Sequence, residues 1–107
     1  MDNQDAGWRS LIRSFDGQGT EDIFNRRRTK AARRTCPEQL RRIAERKLDQ
    51  LNAVITLESL RIPPGNHLEA LAKDRDGQHS IRINDQYRIC FVWTDEGPSR
   101  VEITDYH

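Results

Sequence analysis

The stretch Gly77–Trp93, G-Q-H-S-I-R-I-N-D-Q-Y-R-I-C-F-V-W, most narrows what this chain can fold into. It alternates at period two on either side of a polar turn. Ile81 and Ile83 share one parity, and Ser80 and Arg82 the other. After Asn84-Asp85-Gln86, the residues Tyr87, Ile89, Phe91 and Trp93 alternate with Arg88, Cys90 and Val92. Successive side chains of a strand point to opposite faces, so the stretch predicts a β-hairpin with one apolar face and one arginine-bearing face. Asn and Asp tolerate positive φ and suit the turn. A lone hairpin is marginal in water, so other segments have to cover the apolar face.

A helical cover lies upstream. Leu40, Ile43, Ala44, Leu48, Leu51 and Val54 or Ile55 recur at three- and four-residue steps, which predicts a helix of about five turns. Pro37 suits its first position, where a missing N–H costs nothing. Arg41, Arg42, Glu45, Arg46 and Asp49 then fall on its outer face. A shorter helix is predicted after Asp16–Gly19, with Thr20 as N-cap, Glu21 and Asp22 in the first turn, and Ile23 and Phe24 inward. Thr29–Cys36 is open between a loop and a helical turn. Trp8–Phe15 reads as a short strand with Leu11 or Ile12 inward. Pro63-Pro64-Gly65-Asn66 turns the chain. His67–Leu71 and Arg100–Thr104 are predicted as further strands, with a turn at Thr94–Pro98 before the last. The expected fold class is α+β: an N-terminal strand and two helices packed on one face of a small, mainly antiparallel sheet. One domain spans 1–107, and residues 1–8 are expected to be disordered.

The charge pattern adds a second feature. The formal net charge is only +1, yet ten of the eighteen Lys and Arg (Arg26, Arg27, Arg28, Lys30, Arg33, Arg34, Arg41, Arg42, Arg46 and Lys47) lie between Arg26 and Lys47. The only acids there are Glu38 and Glu45. Such a block is either a solvated helix face, a phosphate-facing surface, or a dock for an acidic protein. No apolar run is long enough to span a bilayer, and the first eight residues carry Asp2 and Asp5 with no apolar signal core. The expected setting is cytoplasmic, without membrane association, and Cys36 and Cys90 are expected to remain thiols. Two cysteines without a Cys-x-x-Cys pair, and scattered histidines, make no zinc site.

With helices on the Ile81, Ile89 and Ile103 face, the opposite face carries Ser80, Arg82, Arg88 and Tyr106. Arginine offers a planar fork of donors suited to phosphate. Adding Lys73, Arg75, His79 and His107 supplies the parts of a metal-free ribonuclease: proton donors and acceptors beside cations that stabilise a phosphorane. Each residue also has an ordinary use. A strand arginine is commonly solvated or paired with Asp or Glu. His67 follows a turn and suits the surface, and His79 shares parity with Ile81 and suits the edge of the core.

The motifs S-F-x-G-x-G-T-E-D-I-F-N (Ser14–Asn25), T-K-A-A-R-R-T-C-P (Thr29–Pro37), P-P-G-N-x-L-E (Pro63–Glu69), Gly77–Phe91 and the terminal D-Y-H, in this order, resemble HigB-type toxins of the RelE-like family. The resemblance runs from about Leu11 to His107. It implies a RelE-like α+β fold and a ribosome-dependent, metal-independent mRNA endonuclease, in which a 2′-OH attacks the scissile phosphate. It calls for no cofactor. Its implied partners are the ribosome with its mRNA and a HigA-type helix-turn-helix antitoxin, with operator DNA bound only through the antitoxin. Residue by residue, Arg88 matches the central-strand arginine, Asp105, Tyr106 and His107 match the terminal triplet, and Asp74 falls in the loop before the hairpin. Lys73 completes the expected catalytic set of Arg88, His107, Tyr106, Asp105 and Lys73. RNA and ribosome contacts are expected from Arg82, Arg75, His67, Arg41, Arg42 and Arg46.

The chain departs from one family pattern. A His-Pro-Leu-Lys-Gly run is replaced by Glu69-Ala70-Leu71-Ala72-Lys73, so Glu69 stands where the histidine would be and the lysine is displaced by one residue. Parity alone also sends His107 to the Val101 and Ile103 face, away from Arg88. A toxin of the same fold without nuclease chemistry, such as a gyrase-poisoning or purely ribosome-binding relative, is the alternative reading. A plain RNA-binding module is a third, and it needs aromatics for base stacking where only Tyr106 is available.

Overall fold

The computed structural model describes residues 11–106. The expectations for residues 1–8, for the start of the strand at Trp8 and for His107 lie outside the described residues. Among these residues three α-helices, α1 (Gln18–Phe24), α2 (Lys30–Thr35) and α3 (Arg41–Leu51), precede four strands, β1 (Glu69–Ala70), β2 (His79–Arg82), β3 (Tyr87–Thr94) and β4 (Gly97–Asp105). The strands form one antiparallel meander in the order β1-β2-β3-β4. This is the α+β arrangement expected from the grouping of helices before strands.

The hairpin parity holds in three dimensions. Ile81, Ile89 and Ile103 stand in register across β2, β3 and β4, all of them buried under the helices. Ser80, Cys90 and Glu102 form one row of the opposite face, and Arg82, Arg88 and Thr104 the next. Glu69 pairs with Ser80 and so joins that face. The turn is closed by the Asn84 side chain, whose Oδ1 accepts from the amides of Gln86 (2.9 Å) and Tyr87 (2.7 Å). From α3, Ala44, Leu48 and Leu51 have no exposed surface. Each fully buried leucine is worth about 1.5–3 kcal/mol relative to exposure.

Three local expectations are corrected, and one open segment is resolved. The segment from Leu11 to Phe15 is not a full strand: it lies beside β4 with a single parallel bridge, Phe15 to Val101. The amides of Leu11 and Ile12 are taken instead by Asn52 Oδ1, at 2.8 and 3.0 Å. The main helix runs only from Arg41 to Leu51: Pro37 precedes a short 3-10 turn at Glu38–Leu40 rather than opening the helix, and Asn52 serves as the C-cap and turns to those amides, which leaves Ile55 85% exposed. Thr20 is not a cap. The helix begins at Gln18, and Thr20 is buried with its hydroxyl accepting from the Ile103 amide at 3.0 Å, which ties α1 to β4. Thr29–Cys36, left open by the sequence, holds α2. Thr29 Oγ1 caps it by accepting from the Ala32 amide at 3.0 Å and donates to Asp22 at 2.6 Å. Gly19 makes that packing possible, since a Cβ there would lie 2.5 Å from the Ala31 carbonyl oxygen.

Candidate active site

The uncovered sheet face is organised around Arg88. Its side chain is only 12% exposed. Nε donates to Ser80 Oγ at 2.7 Å, and Nη2 donates to the His67 carbonyl oxygen at 2.6 Å. Glu69 Oε1 lies 3.4 Å from Nη2. The guanidinium also sits 6.0 Å from the centre of the Tyr106 ring. The strand register positions Ser80, Arg88 and Glu69. The turn Pro64–Asn66, with His67 in a left-handed conformation (φ 45°), delivers the carbonyl, so the strand expected over His67–Leu71 is cut to Glu69–Ala70.

Asn66 holds that turn. It is fully buried, and its amide donates to Leu60 O and Gln50 Oε1, both at 3.0 Å, while Lys47 donates to its Oδ1. Burial beside Arg46 pushes the Lys47 pKa below its ordinary value. The chain Lys47–Asn66–His67–Arg88 therefore connects helix α3 to the arginine. Sequence reasoning gave Asn66 no role beyond turn formation. The presence of an amide inside a Pro-Pro-Gly-Asn run was the one available signal.

A cleft of about 350 Å³ opens beside Arg88, lined by His67, Leu68, Glu69, Arg82, Asn84, Asp85 and Arg88. Arg82 in this cleft is paired with Asp85. A second recess of about 670 Å³ is lined by Lys73, Arg75, Thr104, Asp105 and Tyr106. Tyr106 belongs to the second recess and touches the arginine of the first. Arg75 is anchored within the recess by Gln78 (3.0 Å) and Glu102 (3.3 Å). Lys73 is exposed, with φ of 57°. Burial raises the pKa of Cys90, beneath these arginines, above its ordinary value.

Of the residues singled out from the sequence, the fold brings Arg88, Arg82, His67, Tyr106, Lys73 and Arg75 onto this side. Asp105 lines the second recess but pairs with Tyr87 and alternates with Thr104 along β4, so its register turns it from the Arg88 row, and its carboxylate accepts from Gln86 Nε2 at 3.0 Å. His79 pairs with Phe91 on the covered face and stacks on it at 6.3 Å, as its parity predicted. The helical arginines divide. Arg42 and Arg46 are exposed on α3, away from the sheet. Arg41 is a correction: it is 4% exposed rather than outward, donating to the Arg27 carbonyl oxygen at 2.7 Å and to Glu45 at 3.0 Å. Its burial removes it from any ribosome-facing surface. Among the described residues no cluster of His, Cys, Asp or Glu has a metal-holding arrangement.

Comparison with known proteins gives a family match over residues 13–107, to the RelE-like toxin of the type II toxin–antitoxin system HigB. A relative from Vibrio cholerae, "Toxin HigB-1", is 44% identical over 62 residues, which cover 58% of this chain and 65% of that protein. A Haemophilus influenzae protein carrying only the description "Uncharacterized protein" is 42% identical over 57 residues, 53% of this chain and 56% of its own length. The matched stretch thus spans between about half and two thirds of these relatives.

Proposed function

Because the chain belongs to the HigB-like family of RelE-like toxins of type II toxin–antitoxin systems, we propose that it is a toxin that cleaves mRNA on the ribosome. The observation that carries this reading is the meeting of Arg88 and Tyr106 on the uncovered sheet face, beside a cleft of about 350 Å³ with a second arginine, Arg82.

In this reading Arg88 holds the scissile phosphate with its fork of donors, aimed by Ser80 and the His67 carbonyl. The substrate 2′-hydroxyl gives its proton to solvent as its oxygen attacks phosphorus, and the bond to the 5′-oxygen breaks, leaving a cyclic phosphate and a 5′-hydroxyl. Charge that develops on the phosphorane is met by Arg88, with Lys73 and Arg75 in the adjoining recess. His107, next after Tyr106, donates the proton to the leaving oxygen. Asp105, on the other side of the strand, steadies the segment through Gln86. Arg42 and Arg46 contact ribosomal RNA from the helical side. The partners are a helix-turn-helix antitoxin of HigA type, the ribosome and mRNA, with operator DNA reached only through the antitoxin, in the cytoplasm.

A second reading, a ribosome binder without cleavage, is favoured by Glu69, which occupies a donor of Arg88 at 3.4 Å. Primer extension on ribosome-bound message separates the two. Cleavage ends with the wild type that vanish with Arg88→Ala, while the variant keeps its circular dichroism spectrum, support the nuclease. Stalled ribosomes on intact message support the binder. Unchanged cleavage by Arg88→Ala overturns the assignment of Arg88.

A further inference from the structure

The cleft that holds the two arginines is charge-neutral. Its lining contributes Arg82 and Arg88 against Glu69 and Asp85, two cations and two anions, with His67 counted neutral. Both arginines are already partnered: Arg88 by Glu69 at 3.4 Å and Arg82 by Asp85. Two of the three guanidinium nitrogens of Arg88 are also engaged. Nε serves Ser80, and Nη2 serves the His67 carbonyl and Glu69. A phosphate that takes the Nη1–Nη2 edge of the guanidinium competes with the Glu69 carboxylate at Nη2.

We propose that Glu69, with Asp85, sets the substrate specificity of this cleft by competing with RNA phosphate for Arg88 and Arg82, so that free RNA is rejected and only RNA held in place on a larger partner is bound. The inference rests on the reading of Arg88 as the phosphate ligand. The competitor is displaceable: Glu69 is 58% exposed and Asp85 92% exposed, so either carboxylate swings into water at little cost. A free strand meets a site without net positive charge and gains little from steering. A strand already bound elsewhere on the same assembly meets the cleft at an effective concentration in the millimolar range, which offsets a weak intrinsic affinity. Discrimination then arises from a built-in repulsive element rather than from added attraction.

The experiment measures binding of a short single-stranded RNA oligonucleotide by fluorescence anisotropy at two salt concentrations. The chains compared are wild type, Glu69→Gln, Asp85→Asn, Glu69→Gln with Arg88→Ala, and Glu58→Gln. Glu58 pairs with Arg61 outside the cleft and controls for bulk charge. Glu69→Gln is expected to bind about threefold more tightly than wild type, equivalent to about 0.7 kcal/mol. Asp85→Asn gains less, Glu58→Gln stays near wild type, and adding Arg88→Ala abolishes the gain. A Glu69→Gln protein that binds no more tightly than wild type overturns the proposal. So does a gain that survives Arg88→Ala, which would make Glu69 a general surface charge. Ribosomal cleavage by Arg88→Ala tests the underlying reading separately. If that variant cleaves normally, Arg88 is not the phosphate ligand, whatever the oligonucleotide data show. If it is inactive while Glu69→Gln gains nothing, only the competitor falls.

Discussion

Arg88 is held by the main-chain carbonyl of His67, 2.6 Å from Nη2, so the backbone beside the histidine rather than its ring positions the arginine. The carbonyl is aimed by the left-handed conformation of His67, and that conformation is imposed by the turn that Asn66 anchors. His67→Ala should therefore keep the Arg88 contact and lower cleavage by less than about threefold, whereas loss of the guanidinium fork is severe. Arg88→Lys retains the charge but not the planar donor set, and should lower the cleavage rate by about 10²–10³-fold, the cost typical of removing one preorganised donor. Single-turnover assays on programmed ribosomes check both. Near-normal cleavage by Arg88→Lys would mean that charge alone suffices.

Asn66→Ala removes the amide that satisfies Leu60 O and Gln50 at a fully buried position. Leaving these acceptors without a donor should cost about 2–3 kcal/mol in urea unfolding. A loss under about 0.5 kcal/mol would show that Asn66 does not anchor the turn.

Arg41 and its neighbours Arg42 and Arg46 should respond in opposite assays. Arg41→Ala removes the bonds to Arg27 and Glu45 and should destabilise by about 1–3 kcal/mol. Arg42→Glu with Arg46→Glu should leave stability within about 0.5 kcal/mol and weaken ribosome co-sedimentation, more so at low salt. Unchanged co-sedimentation across a salt series would leave these two as a solvated face.

Hydrogen bonds from Thr29 and then Gln18, with Arg27 alongside, hold the Asp22 carboxyl below its ordinary pKa of 3.8. A carboxyl whose folded pKa lies below its unfolded value stabilises the fold fully above the unfolded value. It loses that contribution as pH falls through the folded one. The stability gap between wild type and Asp22→Asn should be constant from neutral pH to about pH 5 and narrow below about pH 4. Thermal unfolding across that range checks it. A gap unchanged at pH 2 would rule out the ionised carboxylate as its source.

Both thiols should be silent in the folded protein. Burial pushes Cys36 up to about 11 and raises Cys90 as well, and both side chains are buried. Thiolate is the reactive form, so at pH 8 alkylation of Cys36 should run about a hundredfold or more below that of an ordinary thiol. Two thiols should react promptly once denaturant is added. Rapid labelling of the native chain would contradict this.

Period-two alternation in Gly77–Trp93 determined which side chains share a face, because a strand leaves no other choice. The row Ile81, Ile89 and Ile103, the opposing row with Arg88, and His79 at the core edge all follow from parity. The stripe Ala44, Leu48 and Leu51 likewise determined the buried side of α3. Tertiary structure decided what depends on partners distant in the chain. Asn52 ended α3 and drew the Leu11 and Ile12 amides away from the sheet, across about forty residues, which no local pattern encodes. Thr20 became an acceptor for Ile103 rather than a cap, and Arg41 was buried with its guanidinium on the Arg27 carbonyl and Glu45. The Glu69–Arg88 pair exists only because β1 runs beside β2 in one particular register. Side-chain direction is a local consequence of backbone geometry. Which polar groups meet is set by long-range closure, and closure made the site.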